Sequence, residues 1–84
     1  MYELEFDDKA AIIIKKLPKE ISTRIVRKLQ ETKENPHRYF ERLIGKSEYK
    51  LRVGDYRIIA DIYDNKLIIL VLYVDHRSRV YDKI

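Results

Sequence analysis

The chain contains no cysteine. That excludes disulfides, thiolate metal ligands and a cysteine nucleophile, and it suits a reducing cytosol. Glycine occurs twice, too sparsely for a glycine-rich loop that cradles phosphates. Only two histidines are present, His37 and His76. They lie far apart in sequence and lack companions at zinc-binding spacing. No metal or other cofactor is expected. The nucleophile elbow of serine hydrolases is missing. A triad of Ser22, Asp75 and His76 can be written down, but nothing in the spacing supports it. No apolar run approaches the roughly 20 residues that a membrane helix needs. The amino terminus opens on alternating Tyr2-Glu3-Leu4-Glu5-Phe6 rather than on a signal peptide. A cytoplasmic protein without a membrane partner is the expectation.

What is present bounds the rest. With 84 residues, the chain reads as one domain over 1–84. A chain of this size buries only about two-thirds or less of its unfolded surface, so its core is small. It has room for two layers of structure and none for a deep substrate cavity. Hydrophobic residues make up 45% and charged residues 38%, the balance of a globular protein with a heavily charged skin. The net charge of +4 and the pI near 9.3 favour polyanionic partners, because each neutralised phosphate releases counterions.

Periodicity orders the chain as strand, two helices, then a strand meander. Tyr2, Leu4 and Phe6 alternate with Glu3 and Glu5, the pattern of a half-buried strand. Asp7 or Asp8 caps a short helix over 9–16, with Ala10, Ile13, Ile14 and Leu17 as its buried face. Pro18 marks the first turn of a second helix. Ile21, Ile25 and Leu29 recur there at helical spacing, with Val26 beside them. The opposite face carries Lys19, Arg24, Arg27 and Lys28. Asn35-Pro36 stops this helix. Leu43 and Ile44 then plug the core before Gly45 turns the chain.

From Tyr49 the period becomes two. Leu51 and Val53 alternate with Lys50 and Arg52, and Gly54-Asp55 forms a tight turn. Strands follow over 56–63 and 67–74, separated by Asp64-Asn65-Lys66. The last strand is apolar at every position, as expected of a central strand covered on both faces. The expected architecture is α+β, with two helices against one face of a four-stranded, mostly antiparallel sheet. The other face is the place for function.

Basic and phenolic residues gather near the strand ends: Lys50, Arg52, Arg57, His76, Arg77, Arg79 and Tyr81. If Leu51 and Val53 face the core, Lys50 and Arg52 share the other face. Tyr56, Ile58, Ala60 and Ile62 form an apolar set, which sends Arg57 to that same open face. The tight turn makes the three cations neighbours. Arg77 and Tyr81 follow the last strand and reach the same face if that strand pairs beside residues 56–63. Cations brought together this way repel one another until an anion arrives, and a phosphate is the natural visitor. Each residue alone also has a plainer role. Lys50 and Arg52 would serve as edge-strand charges, Arg57 as the partner of Asp61 or Asp55, His76 and Arg79 as surface residues and Tyr81 as a packing residue. The case rests on their arrangement.

The segments Arg42-Leu43-Ile44-Gly45, Tyr49 through Ile59, Asp75-His76-Arg77 and Val80-Tyr81 resemble the RelE/ParE toxin superfamily. The resemblance covers nearly the whole chain, and the string Leu-Arg-Val-Gly-Asp-Tyr-Arg carries most of its specificity. It implies a RelE-like fold and a toxin neutralised by a partner antitoxin of the RelB type. RelE-type members cleave mRNA in the ribosomal A site, the 2′-hydroxyl attacking the adjacent phosphate. By position, Arg57 and Arg77 match arginines that hold the scissile phosphate. Lys50 and Arg52 match a basic pair serving substrate binding and proton transfer. Tyr81 matches a tyrosine that orients the nucleotide. His76 stands where some members have lysine, and either it or Arg77 would protonate the leaving oxygen. The segment from Tyr49 to Arg57 is shorter than theirs, and Arg77 and Tyr81 are closer together. Operator DNA would be contacted only through the antitoxin.

Three functions are compatible with these features. The first is a ribosome-dependent endoribonuclease that inhibits translation. The second is a ParE-like inhibitor of DNA gyrase, which has no need of a phosphate-cleaving set. The third is a non-catalytic module that docks on the ribosome or the antitoxin through its basic face.

Overall fold

The protein is described by a computed structural model covering residues 1–76. The fold begins with β1 (Glu3–Phe6), whose Glu3 and Glu5 are exposed while Leu4 and Phe6 turn inward. Asp7 ends it in extended backbone, and its carboxylate accepts the Lys9 N–H at 3.1 Å. That bond satisfies one of the orphan donors of α1 (Asp8–Lys16). Asp8 in the first turn and Lys15 and Lys16 in the last complement the helix dipole.

Pro18 occupies the cap position, one residue before α2 (Lys19–Glu31), rather than the first turn. Its carbonyl accepts the N–H groups of Ile21 and Ser22. Ile25 and Leu29 are fully buried on the inner face of α2, each contributing roughly 1.5–3 kcal/mol of transfer free energy. The helix stops at Glu31, earlier than Asn35-Pro36, because Thr32 turns its buried hydroxyl onto the Leu29 carbonyl at 2.7 Å. Pro36 instead opens a single 3-10 turn, Pro36–Arg38.

Four further strands follow: β2 (Glu41–Arg42), β3 (Tyr49–Val53), β4 (Tyr56–Tyr63) and β5 (Ile68–His76). Among the described residues the sheet has five strands in the order β1-β5-β4-β3-β2, with β1 parallel to β5 and the other pairs antiparallel. The strand beyond the expected four is β2. It pairs through only two residues, Glu41 with Lys50 and Arg42 with Tyr49, too few to leave a periodic signal.

Helices α1 and α2 lie on one face of the sheet. Ala10, Ile25 and Leu29 bury there against Leu51, Val53, Ile58, Ala60, Ile69, Val71 and Val74. On β5 only the helix side is covered, while Leu70 and Leu72 on the other face remain half-buried, so the expected covering of both faces does not hold: there is no second layer on the open face among the described residues. Register slips at one point: Ile59 faces Tyr73 and Ala60 faces Val71, leaving Leu72 as the extra residue of a bulge. The bulge lets Leu72 and Tyr73 both pack against Ile59 and Leu43 in a second, small apolar cluster on the open face. Leu43 is buried as expected, whereas Ile44 is 99% exposed and plugs nothing. It sits in the turn closed by the Lys46 N–H on the Leu43 carbonyl, with Gly45 at φ +72°.

Candidate functional site

The β3–β4 hairpin places the basic residues. Burial of Leu51 and Val53 turns Lys50 and Arg52 to the open face, and Gly54 makes the tight turn in left-handed backbone at φ +59°. Arg57 then comes directly opposite Arg52 on β3, and Asp75 lies opposite Arg57 on β5. Arg57 is only 6% exposed. A guanidinium so far withdrawn from water acts on an anion through a lower effective dielectric than a surface cation does.

Arg57 belongs to the lining of a cleft of about 510 Å³ formed by Lys28, Arg38, Tyr39, Glu41, Lys50, Leu51, Arg52 and itself. Strand β2 pairs with β3 only at Tyr49 and Lys50, so the outer edge of β3 from Leu51 onward carries no strand partner among the described residues. The cleft runs along that edge, which lets Lys28 of α2 and Arg38 and Tyr39 beside the 3-10 turn join residues of the sheet. Among the described residues the lining holds five cations, Lys28, Arg38, Lys50, Arg52 and Arg57, and one carboxylate, Glu41, while Glu31 outside the lining lies 3.6 Å from Lys28. Glu41 faces Lys50 in the β2–β3 register. The remaining positive excess suits an anion that accepts several N–H donors at once, as a phosphate does.

Three of the six residues expected in the site thus share one cleft: Lys50, Arg52 and Arg57. His76 is not part of its lining. It ends β5 opposite Tyr56, the rings meeting edge to face at 5.5 Å and 83°. Tyr56 packs on the helix-side core, so the pair lies on the other side of the sheet from Arg57 and Asp75. Arg77 and Tyr81 lie outside the described residues. The structure adds Lys28, Arg38, Tyr39 and Glu41 to the set. Lys28 reads in sequence as one charge on a solvated helix face. Residues 38 to 41 fall in a stretch without periodicity, so only three-dimensional closure of the 3-10 turn onto β3 reveals them.

A second polar assembly lies apart from the cleft lining. Asp64 Oδ1 accepts the Tyr2 hydroxyl at 2.6 Å and lies 2.7 Å from His37 Nε2. The His37 ring meets Tyr49 edge to face at 5.4 Å, and Arg42 donates to the Tyr49 hydroxyl at 3.1 Å. These bonds pull the Asp64 carboxyl below its ordinary pKa, the Tyr2 bond first and the His37 bond next. The same carboxylate raises the Tyr2 phenol, and Asp61 raises Tyr63. No group of three or more His, Cys, Asp or Glu side chains among the described residues is placed to hold a metal ion. No helix among them is long and apolar enough to cross a membrane.

Comparison with known proteins adds to this geometry. Residues 4–81 match the family model of the ParE toxin of type II toxin–antitoxin systems, parDE. The chain is 31% identical over 81 residues to the mRNA interferase toxin RelE of Escherichia coli K12, covering 93% of this chain and 85% of that protein. It is 32% identical over 81 residues to a putative RelE-like toxin protein of Escherichia coli, with the same coverage. Among solved structures, it superposes on a chain of the intact E. coli RelBE toxin–antitoxin complex with a TM-score of 0.79 at 27% identity, covering 90% of this chain and 96% of that one. A chain of a RelBE-type toxin–antitoxin complex from Mycobacterium tuberculosis gives 0.81 at 28% identity, covering 90% and 98%.

Proposed function

Because the chain belongs to the ParE toxin family of type II toxin–antitoxin systems, we propose that it is the toxin of such a pair and inhibits translation by cutting mRNA on the ribosome. The observation that carries this reading is the cleft in which Arg57, Arg52, Lys50, Arg38 and Lys28 converge. The family model is named for the ParE toxin, whereas the curated relatives are named mRNA interferases. The cleft favours the second reading, since a protein target has no need of five cations arranged for a phosphate.

In this mechanism the message enters the ribosomal A site, where the toxin grips the backbone at one phosphate. Arg57, withdrawn at the floor of the cleft, holds the non-bridging oxygens and stabilises charge as it builds on phosphorus. Arg52 beside it and Arg77 from the tail share that load. The 2′-hydroxyl of the preceding nucleotide loses its proton and its oxygen bonds to phosphorus. The bond from phosphorus to the 5′-oxygen breaks, leaving a 2′,3′-cyclic phosphate and a 5′-hydroxyl. Lys50 serves proton transfer at the attacking side and Tyr81 orients the nucleotide. Arg77 is the better candidate than His76 for the leaving oxygen, because His76 is set against Tyr56 on the far side of the sheet. No metal or other cofactor enters these steps.

Its partner is a separate antitoxin chain, as the toxin–antitoxin complexes among its structural relatives indicate. The groove of about 480 Å³ lined by Ile14 of α1 and Ser22, Thr23, Val26, Arg27 and Gln30 of α2 would take an amphipathic helix of that chain. A toxin that acts on the ribosome would work in the cytoplasm.

Primer extension on translating ribosomes tests this function, comparing the protein with Arg57→Ala and Arg77→Ala. The protein is expected to leave discrete cuts in the message, and both variants to abolish them. Inhibition of gyrase supercoiling without any RNA cut would overturn the proposal in favour of the ParE-like activity.

A further inference from the structure

Among the described residues, Tyr39 is the one aromatic ring in the cleft lining. It belongs to neither apolar cluster, and it remains 38% exposed. Tyr2, Tyr49, Tyr56 and Tyr73 all pack against one or other cluster. Single exposed rings are common on protein surfaces, so exposure alone assigns nothing here; the placement of this one does.

Its mounting is stiff. The Tyr39 N–H donates to the Pro36 carbonyl at 3.0 Å, and the Phe40 N–H donates to the same oxygen at 2.9 Å. Pro36 and Phe40 are both buried. The ring therefore stands on a backbone pinned on both sides, three residues from one anchor and one from the other. Lys28 Nζ lies 5.3 Å from the ring centroid, within cation–π range. Arg38 precedes the ring, and Lys50, Arg52 and Arg57 line the same cleft.

A ring carried on a pinned backbone segment beside a set of cations matches the way single-stranded nucleic acid is bound: cations follow the backbone while bases stack on aromatic faces. We propose that Tyr39 is a stacking platform for an RNA base adjoining the bound phosphate, with Lys28 bracing the ring. The cleft then selects a nucleotide carrying a base, not a bare phosphodiester. Arg38 takes the phosphate on the other side of that base. This inference rests on the proposal that the cleft binds RNA, and it assigns the base contact within that site.

The test has a binding arm and a cleavage arm. The chain contains no tryptophan, so Tyr39→Trp introduces a single indole reporter. Its fluorescence is expected to be quenched by a short single-stranded oligoribonucleotide and far less by an abasic oligonucleotide of equal length. In direct binding, the unmodified protein should prefer the base-bearing strand, and Tyr39→Leu should lose that preference while still binding the abasic strand. The affinity lost is expected to be about 10- to 100-fold, the scale of one base–aromatic stack. Tyr39→Phe keeps the aromatic face and should restore binding to within about threefold. In ribosomal cleavage, Tyr39→Leu should raise the half-saturating toxin concentration far more than it lowers the maximal rate. Equal binding of both strands by the unmodified protein, or an unchanged preference in Tyr39→Leu, would overturn the inference. Loss in Tyr39→Phe equal to that in Tyr39→Leu would do so too, since it would make the hydroxyl rather than the face the active part. If the unmodified protein cut no message, the proposed function would fall, while the binding arm would still decide for or against Tyr39.

Discussion

Arg52 and Arg57 are direct cross-strand neighbours on the β3–β4 hairpin. Two like charges at such a position destabilise a sheet by a few tenths to about 1 kcal/mol. The hairpin also brings Lys50 into the same cleft, and α2 and the 3-10 turn add Lys28 and Arg38. A folded state that gathers cations at its own expense is the arrangement expected of an anion site, where stability has been exchanged for binding.

The first prediction follows from Arg57, a nearly buried cation in that cleft. Arg57→Met keeps much of the side-chain volume and removes the charge. Asp75 faces Arg57 from β5, and removing one of two facing, partly buried charges destabilises by leaving the other uncompensated. Urea denaturation is therefore expected to show a loss of up to about 3 kcal/mol, while RNA cleavage, measured where the variant remains folded, falls by about 100-fold or more, as for loss of a donor to developing charge. Arg57→Lys should recover little, because the ammonium lacks the planar fork. A loss of several kcal/mol with cleavage preserved would make Arg57 a structural residue.

The remaining cations should act additively through salt dependence. Binding of single-stranded RNA releases counterions in proportion to the phosphates contacted, with about 0.7 in the log–log slope for each. Arg38→Ala, Arg52→Ala and Lys50→Ala line the cleft singly and are each expected to flatten the slope by about that amount. Arg27→Ala lies on the α1–α2 groove and should leave the slope alone. Titrations over a range of salt concentrations measure both.

The hairpin and its alternation were legible in the sequence because each residue from Tyr49 to Arg57 obeys a period of two, broken only by Gly54-Asp55. The same regularity gave Lys50, Arg52 and Arg57 a common face. Helix faces were legible through Ile25 and Leu29. The cleft as a whole was not legible. Half of its lining comes from Lys28 and from residues 38 to 41, which meet β3 only after a turn with no periodic signature has folded back. Strand β2, with two paired residues, is too short for any pattern, and the bulge at Leu72 hides inside a uniformly apolar run where every register looks alike.

The Tyr2–Asp64–His37 assembly predicts a pH window. Asp64 titrates below its ordinary value in the folded protein, chiefly through the Tyr2 bond. Its contribution is therefore present above the unfolded carboxylate pKa and is lost as pH falls through the lower folded value. Tyr2 titrates above its ordinary 10.0, chiefly through its bond to Asp64. Its contribution is present below that value and is lost as pH rises through the higher folded one. Asp64→Asn is expected to flatten the stability profile by lowering it across the neutral region, with little change at the acid and alkaline ends where both contributions are already lost. Thermal unfolding between acid and alkaline pH tests it. An unaltered profile in the variant would show that the bonds contribute nothing in solution.

Leu43 and Ile44 are adjacent, both apolar and opposite in fate, and they give the last prediction. Leu43 is 7% exposed against Ile59, Leu72 and Tyr73, while Ile44 is 99% exposed. The reason is local: the turn from Leu43 to Lys46 sends successive side chains in different directions, and only the first reaches the sheet. Leu43→Ala should cost about 2 kcal/mol, at the low end for a buried leucine because the small cluster at the surface can relax into the space. Ile44→Ala should stay within about 0.5 kcal/mol. Ile59 is two residues from Arg57 on β4, so the cluster also backs the strand that presents Arg57. Leu43→Ala is accordingly expected to weaken RNA cleavage more than Ile44→Ala does, measured at a temperature where both variants remain folded. Equal stability losses at the two positions would show that the cluster does not exist in solution.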